Sequence, residues 1–269
     1  GSLQALSTSV ASDHGLAVAS PVASSVLPVM VVRAGDAAAV SRLMGDGRVS
    51  VVEPNLRLSA PPLDPAAITV TYDFGLQWHY DHINLSDAWN VTQGEDRVVV
   101  AVIDSGFATL HPNLQPNLVP GYDFAFNDAD PSSNTLACVE HGTHVAGTIA
   151  ATWNEEFNIS GAAPGVKVRP VRVGIEDGSG CPMPLSAVIN AVLYSSGYVL
   201  EGVPQVPTAD VINMSIGGNS YSAIYEEAIT LAQLAGSSVV AAAGNDGVNA
   251  VMYPAAYDGV IGVSATDLT

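Results

Sequence analysis

Two histidines three residues apart, His141 and His144, open an apolar stretch in the sequence ACVEHGTHVAGTIAA. A zinc-binding helix has its histidines four residues apart with a glutamate after the first, so this spacing argues against a metal pair. An imidazole at the start of a helix can instead act as a general base that reaches into a cleft. His141, expected in the first turn of its helix, could be such a base, and an ordinary buried helix with two hydrogen-bonded imidazoles is the alternative. His144, followed by small apolar residues, is expected to be a packed, hydrogen-bonded core residue.

Other candidate functional residues lie where apolar runs end. Asp104 ends VVVAVID, Ser215 and Gly217 follow DVINM, and Asn245 follows VVAAAG. If these runs are parallel strands, their carboxyl ends meet at one edge of a sheet, where functional groups collect. The carboxylate can orient a base or cap a turn, and the glycine can admit an extended peptide or form a turn. The asparagine can donate to an oxyanion or serve as a turn residue.

Hydrophobic patterns indicate the elements that position these groups. Continuous apolar runs, typical of strands buried on both faces, occur at residues 98–103, 166–173, 210–215, 237–243 and 259–265. Helical stripes lie between them: Leu185, Val188, Ile189 and Val192 in one, and Ile224, Ala228, Leu231, Ala232 and Ala235 in the other. This alternation predicts an α/β fold, with a mostly parallel central sheet and helices on both faces.

The first part of the chain differs in composition. Gly1 and Ser2 look like the remnant of an expression tag, and residues 1–27 are predicted to be a flexible tail. Residues 28–60 are predicted to form a small βαβ unit, whose helix opens at Asp36 and whose second strand lies in RVSVVEPNLRL. A Pro-rich linker over residues 61–72 leads to the main domain, residues 73–269.

Composition limits the classes of partner. The formal charge of −18 comes from 26 acidic and 8 basic residues among 269, so few cations exist to neutralise phosphates and no nucleic-acid partner is expected. The apolar runs are too short for a membrane span. The two cysteines, Cys138 and Cys181, are too few for a multi-cysteine zinc cage. Their number alone leaves both free thiols and a single disulfide open.

Taken together and in this order, the stretches VAVIDSG, HGTHVAGT, VINMSIGG, AAAGNDG and YPAAYDGVIGVSATD resemble the subtilisin-like serine proteases over roughly residues 77–269. The resemblance implies that Asp104 orients His141, that His141 serves as general base and then general acid, and that Asn245 donates to the oxyanion. It also implies an extended peptide or protein substrate, bound by Ser215, Ile216 and Gly217 on one wall of the specificity pocket, by Ala243 and Gly244 on the other, and by Met252 at the base. Ile216 and Met252 indicate a medium to large apolar residue before the scissile bond.

The same resemblance makes residues 28–60 a short propeptide, with VVEPNLRLSA lying in the active-site cleft; the alternative is a permanent accessory domain. It implies a secreted protein, and with that a Cys138–Cys181 disulfide that holds the loop before His141. It also implies a cis Tyr253–Pro254 bond. No cofactor is required for the chemistry. Asn154 and Asn158 are possible ligands of a structural calcium, with Asn113 standing where an aspartate ligand is common.

The nucleophile of this family lies in a downstream GTSMA segment, and no GTS sequence occurs in these 269 residues. The chain by itself is therefore expected to be inactive. We expect the proprotein form or an N-terminal fragment of a serine endopeptidase, whose Asp-His-Ser triad takes its serine from a C-terminal fragment. A truncated chain and a catalytically inactive peptide-binding module are the alternatives.

Overall fold

The computed structural model describes residues 3–21, 23–60, 77–153, 159–178, 180–245, 247 and 250–266. The described residues up to Ala60 form a small N-terminal unit. It contains α1 (Leu3–Asp13), β1 (Ala17–Ser20), β2 (Val31–Arg33), α2 (Ala37–Met44) and β3 (Arg57–Leu58).

The main domain follows from residue 77. Its elements are α3 (Trp78–His82), α4 (Leu85–Trp89), β4 (Val99–Asp104), a short 3-10 helix (Gln115–Asn117), β5 (Tyr122–Asp123), α5 (Leu136–Ala150), β6 (Lys167–Arg172), β7 (Met183–Pro184), α6 (Leu185–Ser195), β8 (Val211–Met214), α7 (Ala223–Leu234), β9 (Ser238–Ala242) and β10 (Ile261–Val263). Each of the five apolar runs predicted to be strands matches one of these strands to within two residues at either end. Both predicted stripes lie on helices, α6 and α7, with Ala235 at the C-cap of α7.

Six strands form one parallel sheet in the order β10-β9-β8-β4-β6-β5. In its centre, Val102 of β4 pairs with Pro170 on one side and with Asn213 on the other. The strand order reverses at β4, since the chain first adds strands on one side and then on the other. In α/β sheets such a reversal opens a crevice at the carboxyl ends of the strands, and Asp104 ends β4 at this point.

Side chains along β4 alternate between two cores. Ala101 and Ile103 belong to the larger core, which contains residues of α6 and α7. Val100 and Val102 belong to the second core, which contains residues of α5. Helices therefore cover both faces of the sheet, as predicted. Because burying one such aliphatic side chain stabilises the fold by about 1.5–3 kcal/mol, this alternation fixes the position of β4 between its helices.

Helix α1 contradicts the prediction of a flexible tail over residues 1–27. Its Val10 and Ala11 are buried in a small core with Leu16 of the following loop and Leu43 of α2. The sequence of α1 is rich in Ser, Thr and Val, which have weak helix propensity, so local sequence preference does not predict this helix. Packing against the rest of the unit stabilises the helix.

The strand pairing of the N-terminal unit also differs from the predicted βαβ arrangement. Helix α2 agrees with the prediction, since it begins after the N-cap Asp36 and ends at Gly45. However, β2 pairs antiparallel with β1, and β3 pairs antiparallel with β7 of the main domain. The predicted second strand is reduced to Arg57–Leu58; Pro54, within the predicted run, has no N–H to donate to a ladder.

Among the helices of the described part of the chain, none is long and apolar enough to cross a membrane.

Candidate active site

Asp104 and His141 form a hydrogen-bonded pair at the carboxyl edge of the sheet. The distance between Asp104 Oδ1 and His141 Nδ1 is 2.8 Å, and the two side chains are 0% and 12% exposed. A carboxylate accepts the proton of Nδ1–H, which leaves Nε2 with its lone pair. The geometry thus provides an oriented imidazole that can take a proton through Nε2.

The position of His141 in its helix differs from the prediction. Helix α5 begins at Leu136, so His141 lies in the second turn and not in the first. The residues before it, LACVE, include strong helix formers and extend the helix backwards. His141 therefore has helical residues on both sides of it in the sequence, and these fix the position of its backbone.

Ser105 supports this pair, and the sequence reasoning did not identify it. Its backbone N–H and its hydroxyl donate to Asp104 Oδ1, at 2.6 and 3.0 Å. The same hydroxyl accepts from the backbone N–H of Gly142 at 3.3 Å, which ties the end of β4 to α5. Asp104 Oδ2 is buried and has no hydrogen-bond partner among the described residues. The serine directly after the carboxylate in VIDSG was the available signal.

Gly142 lets α5 approach the end of β4. A β-carbon at this residue would lie 2.4 Å from the carbonyl oxygen of Gly106 and 3.2 Å from Asp104 Oδ1. Real β-carbons do not come this close to a carbonyl oxygen, so a side chain at this position would push the helix away. The glycine after His141 therefore controls the distance between His141 and Asp104.

A disulfide joins Cys138 to Cys181, as the family resemblance implied. Cys138 is fully buried in α5, one turn before His141, and the bridge closes a separation of 43 residues. It links α5 to the segment between β6 and β7. Gly174 packs against the disulfide, since a β-carbon on Gly174 would lie 2.4 Å from the Cys181 sulfur.

His144 is exposed and not a core residue, which corrects the sequence prediction. It lines a cavity of about 450 Å³ together with His79 and His111. His144 is exposed, but protein atoms around its imidazole partly desolvate it. This desolvation lowers the pKa of the imidazole, and the neighbouring His141 lowers it further. Burial lowers the pKa of the half-buried His79, and His144 lowers it further. Both effects favour the neutral imidazoles.

No metal site emerges from the part of the chain that the structure describes, where no three His, Cys, Asp or Glu side chains are grouped to hold an ion. The predicted calcium ligands Asn154 and Asn158 lie outside the described residues. Asn113 is buried, its backbone carbonyl accepts from Thr152 N at 2.8 Å, and its amide donates to the Thr152 carbonyl at 3.5 Å. Calcium binding at this loop stays a prediction.

Asn245 follows β9 at the same edge of the sheet at which Asp104 follows β4, because the strands are parallel. The residue is exposed. Its side chain is therefore exposed at the edge where an oxyanion donor is predicted.

The predicted substrate-binding edge after β8 is occupied by the N-terminal unit. Gly217 donates its N–H to the Ser59 carbonyl at 3.1 Å and accepts from Ser59 N at 3.2 Å. Ser215 is partly exposed and its hydroxyl accepts from Asn213 Nδ2 at 3.1 Å, whereas Ile216 is buried in the larger core. Of the three predicted residues, Gly217 makes the contact expected for a substrate backbone.

Met252 lies across the two predicted walls of the specificity pocket. A β-carbon on Gly217 would be 3.0 Å from Met252 Cγ, and one on Gly244 would be 2.9 Å from Met252 Cε. The thioether chain therefore spans the space between these glycines. Ala243, beside Gly244, is partly exposed, and its N–H donates to Val263 O at 2.8 Å. The next peptide bond, Tyr253–Pro254, is cis, as expected.

Two side chains of the N-terminal unit bind the first turns of main-domain helices. Glu53 accepts from Ala223 N at 2.9 Å and from the Ser222 hydroxyl at 2.6 Å, at the start of α7. Asn55 accepts from Ser186 N at 3.0 Å and donates to the Ser186 hydroxyl at 3.0 Å, at the start of α6. The free N–H groups of both helix ends are thus partly satisfied by the N-terminal unit.

Comparison with known protein families matches residues 95–268 to the Subtilase family. The chain belongs to this family. A curated subtilase relative, the "Thermophilic serine proteinase" of Bacillus sp. (strain AK1), is 36% identical over 240 residues, which cover 88% of this chain and 54% of the relative. The "Extracellular protease" of Xanthomonas campestris pv. campestris is 37% identical over 211 residues, which cover 68% of this chain and 35% of that protein.

Among solved structures, that of fervidolysin from Fervidobacterium pennivorans is similar with a TM-score of 0.73 at 22% identity. The similarity covers 96% of this chain and 41% of fervidolysin, and at this identity it supports the subtilisin-like fold alone. The chain spans about half or less of the length of these relatives.

Proposed function

We propose that this chain is the N-terminal part of a secreted serine endopeptidase, in which the N-terminal unit, up to residue 60, is the propeptide and residues 73–269 belong to the catalytic domain. The observation that carries the proposal is the 2.8 Å contact between Asp104 Oδ1 and His141 Nδ1. The serine nucleophile of the triad is supplied by a segment outside these 269 residues.

In the proposed mechanism, His141 Nε2 removes the proton of the serine hydroxyl as that oxygen attacks the substrate carbonyl. Asp104 holds the Nδ1–H tautomer and stabilises the imidazolium that forms. His141 then returns the proton to the leaving amine. Because Asp104 is fully buried, its negative charge is little screened by water and acts strongly on the imidazolium.

The remaining site residues act on the substrate. Asn245 donates to the oxyanion of the tetrahedral intermediate, a contribution that is typically about 3–4 kcal/mol in this type of enzyme. The edge at Gly217 pairs with the substrate backbone, which gives affinity without dependence on the side chains. Met252 limits the size of the side chain that enters between Gly217 and Gly244.

Contacts of the N-terminal unit support its role as a propeptide. Its last described residues pair with Gly217, at which a substrate backbone would also pair. The N-terminal unit and the substrate therefore compete for the edge after β8. Glu53 and Asn55 bind the starts of α7 and α6, the two helices that cover the larger core. These contacts stabilise the precursor in a form that excludes substrate.

Secretion is supported by two observations. A relative is named as an extracellular protease, and the chain contains the Cys138–Cys181 disulfide. Disulfides persist in oxidising compartments and are rare in the cytosol.

The proposal is tested on the full-length gene product with a fluorophosphonate probe, which labels activated serines. We expect one labelled serine, mapped by mass spectrometry outside residues 1–269, and loss of labelling in the His141→Ala variant. Labelling that is unchanged in His141→Ala, or that maps to a serine within residues 1–269, contradicts the proposed triad.

A catalytically inactive peptide-binding module is a second candidate, favoured by the pairing between Ser59 and Gly217. This edge holds an extended segment through backbone hydrogen bonds, without any need for the base. If the full-length protein binds peptides but neither reacts with the probe nor hydrolyses them, the binding module is correct and the protease is not.

A further inference from the structure

The last described residues of the N-terminal unit lie between two edges of the main domain. On one side, Leu58 pairs with Met183 of β7. On the other side, Ser59 exchanges two hydrogen bonds with Gly217. A substrate that pairs with Gly217 in place of Ser59 therefore has β7 beside the residues that precede the paired one.

Much of what holds β7 comes from the N-terminal unit itself. Among the described strands, β3 is the one that pairs with β7. Arg57 forms an ion pair with Asp177 at 2.7 Å, and Leu56 O accepts from Leu185 N, directly after β7, at 2.8 Å. All of these contacts are lost when the N-terminal unit leaves. In the mature enzyme, the main domain alone must therefore hold this edge in place for the substrate.

The main domain holds the edge segment, residues 180–184, at two ends. At the far end, Met183 is fully buried in the larger core. At the near end, Cys181 forms the disulfide, and its sulfur lies 3.9 Å from the Ser105 carbonyl oxygen, next to the catalytic pair. Between them, Pro182 O accepts from Ile175 N at 3.0 Å. The disulfide is thus the link between the edge segment and the catalytic end of the sheet.

The other end of the bridge needs no such support. Cys138 is fully buried within the 15-residue helix α5. His141, one turn later, is fixed by its hydrogen bond to Asp104, and the next residue, Gly142, donates its N–H to Ser105. Helix packing and these hydrogen bonds position the base independently of the sulfur atoms. The partner that gains order from the bridge is therefore Cys181 and the edge segment around it.

We propose that the Cys138–Cys181 disulfide positions the edge segment beside the bound peptide after the N-terminal unit has left. It acts on substrate binding, whereas His141 keeps its place without it. The proposal rests on the proposed function, since it concerns the mature protease. In the precursor, β3 also holds the edge, so the bridge contributes less there.

The kinetic test uses synthetic peptides that share one scissile bond and become longer on its N-terminal side. In the wild-type mature enzyme, KM should fall once the peptide is long enough to lie along the edge segment. In Cys138→Ala/Cys181→Ala, KM of the longest peptide should rise about 10-fold, as expected for about two lost backbone hydrogen bonds. The kcat of the shortest peptide should stay within about twofold of wild type. Val166→Ala, a change in the second core before β6, controls for a general loss of stability.

Hydrogen exchange gives a readout that does not depend on hydrolysis. In the mature double variant, exchange should accelerate at least about 10-fold at Ile175, whose N–H donates to Pro182. In the precursor of the same variant it should stay close to wild type, because β3 still pairs with β7. The N–H of Gly142, which donates to Ser105, should exchange at the wild-type rate in both forms.

Three results overturn the proposal: an unchanged KM of the longest peptide, an equal loss of kcat for short and long peptides, or faster exchange at Gly142. The last two would show that the bridge positions the base. If the double variant does not fold, wild-type mature enzyme is reduced with TCEP and alkylated, opening of the bridge is verified by mass, and the same comparisons decide. A wild-type enzyme that hydrolyses no peptide of any length overturns the proposed function instead.

Discussion

Gly142 and Gly106 are in such close contact that a β-carbon on Gly142 would lie 2.4 Å from the Gly106 carbonyl oxygen. Gly142 directly follows His141, and its N–H donates to Ser105, the residue after Asp104. We predict that Gly142→Ala displaces α5 and lowers kcat of the mature enzyme by at least about 100-fold, as expected for ångström-scale misplacement of a catalytic group. Peptide hydrolysis and thermal unfolding measure the two effects.

Gly147 provides the matched control, because it lies in the same helix and its β-carbon would meet nothing closer than Leu114 Cδ2 at 4.0 Å. Gly147→Ala should leave kcat unchanged and stabilise the protein by up to about 1 kcal/mol, because alanine is the better helix former. Equal activity of the two variants would show that close approach at Gly142 does not position His141.

The helix caps supplied by the N-terminal unit predict local effects on α6 and α7. Replacing Glu53 with Gln removes the charge at the start of α7, and Asn55→Ala removes the partner of Ser186 N at the start of α6. Each change should cost about 0.5–2 kcal/mol. Hydrogen exchange should accelerate at Ala223 in the first variant and at Ser186 in the second.

Glu95→Gln is the control for this experiment, since Glu95 is an exposed carboxylate that pairs with Arg97 away from the interface. It should leave exchange at both helix starts unchanged. If Glu53→Gln has as little effect as this control, Glu53 does not stabilise α7.

Much of the fold could be predicted from the sequence because buried parallel strands are continuous apolar runs. The apolar runs that correspond to β4, β6, β8, β9 and β10 each end close to the observed end of the strand. The ends of the runs therefore predict that Asp104 and Asn245 lie at one edge of the sheet. Short motifs with fixed spacing identified His141. The contact between Asp104 and His141 bridges 37 residues, and the sequence suggested it only through the family resemblance.

The failures have physical causes. Helix α1 depends on burial of Val10 and Ala11 against the rest of its unit, a long-range contact that local propensity does not reveal. Residues 57–58 pair with β7, more than 120 residues away, and the sequence pattern cannot identify such a partner. His144 was expected in the core because small apolar residues follow it, whereas its own side chain lines a cavity.

The position of Met252 predicts substrate selectivity. Its side chain fills the space between Gly217 and Gly244, so Met252→Gly should admit larger side chains before the scissile bond. The ratio of kcat/KM for phenylalanine against alanine at that position should rise about 10-fold, a typical effect for one hydrophobic pocket contact. Met252→Leu, which conserves volume, should leave the ratio almost unchanged. A Met252→Gly enzyme with wild-type selectivity would show that the side chain does not enter this space.

His79 predicts a pH dependence of stability. Burial and the neighbouring His144 lower the pKa of His79 below that of the unfolded chain, so the unfolded state binds the proton more readily. This contribution to stability is present above about pH 6.5 and is lost as the pH falls through the lower, folded pKa. The free energy of unfolding should therefore drop less between pH 7 and pH 5 in His79→Gln than in wild type. Exposed His82, changed to Gln, is the control, and an equal drop in all three proteins contradicts the prediction.

The central claim, that Asp104 orients His141 as the general base, is tested most directly by kcat of the mature full-length Asp104→Asn enzyme. An amide in place of the carboxylate can donate to Nδ1 and stabilise the wrong imidazole tautomer, so kcat should fall roughly 10⁴-fold while KM changes little. A kcat within about tenfold of wild type in a correctly folded variant would contradict the account.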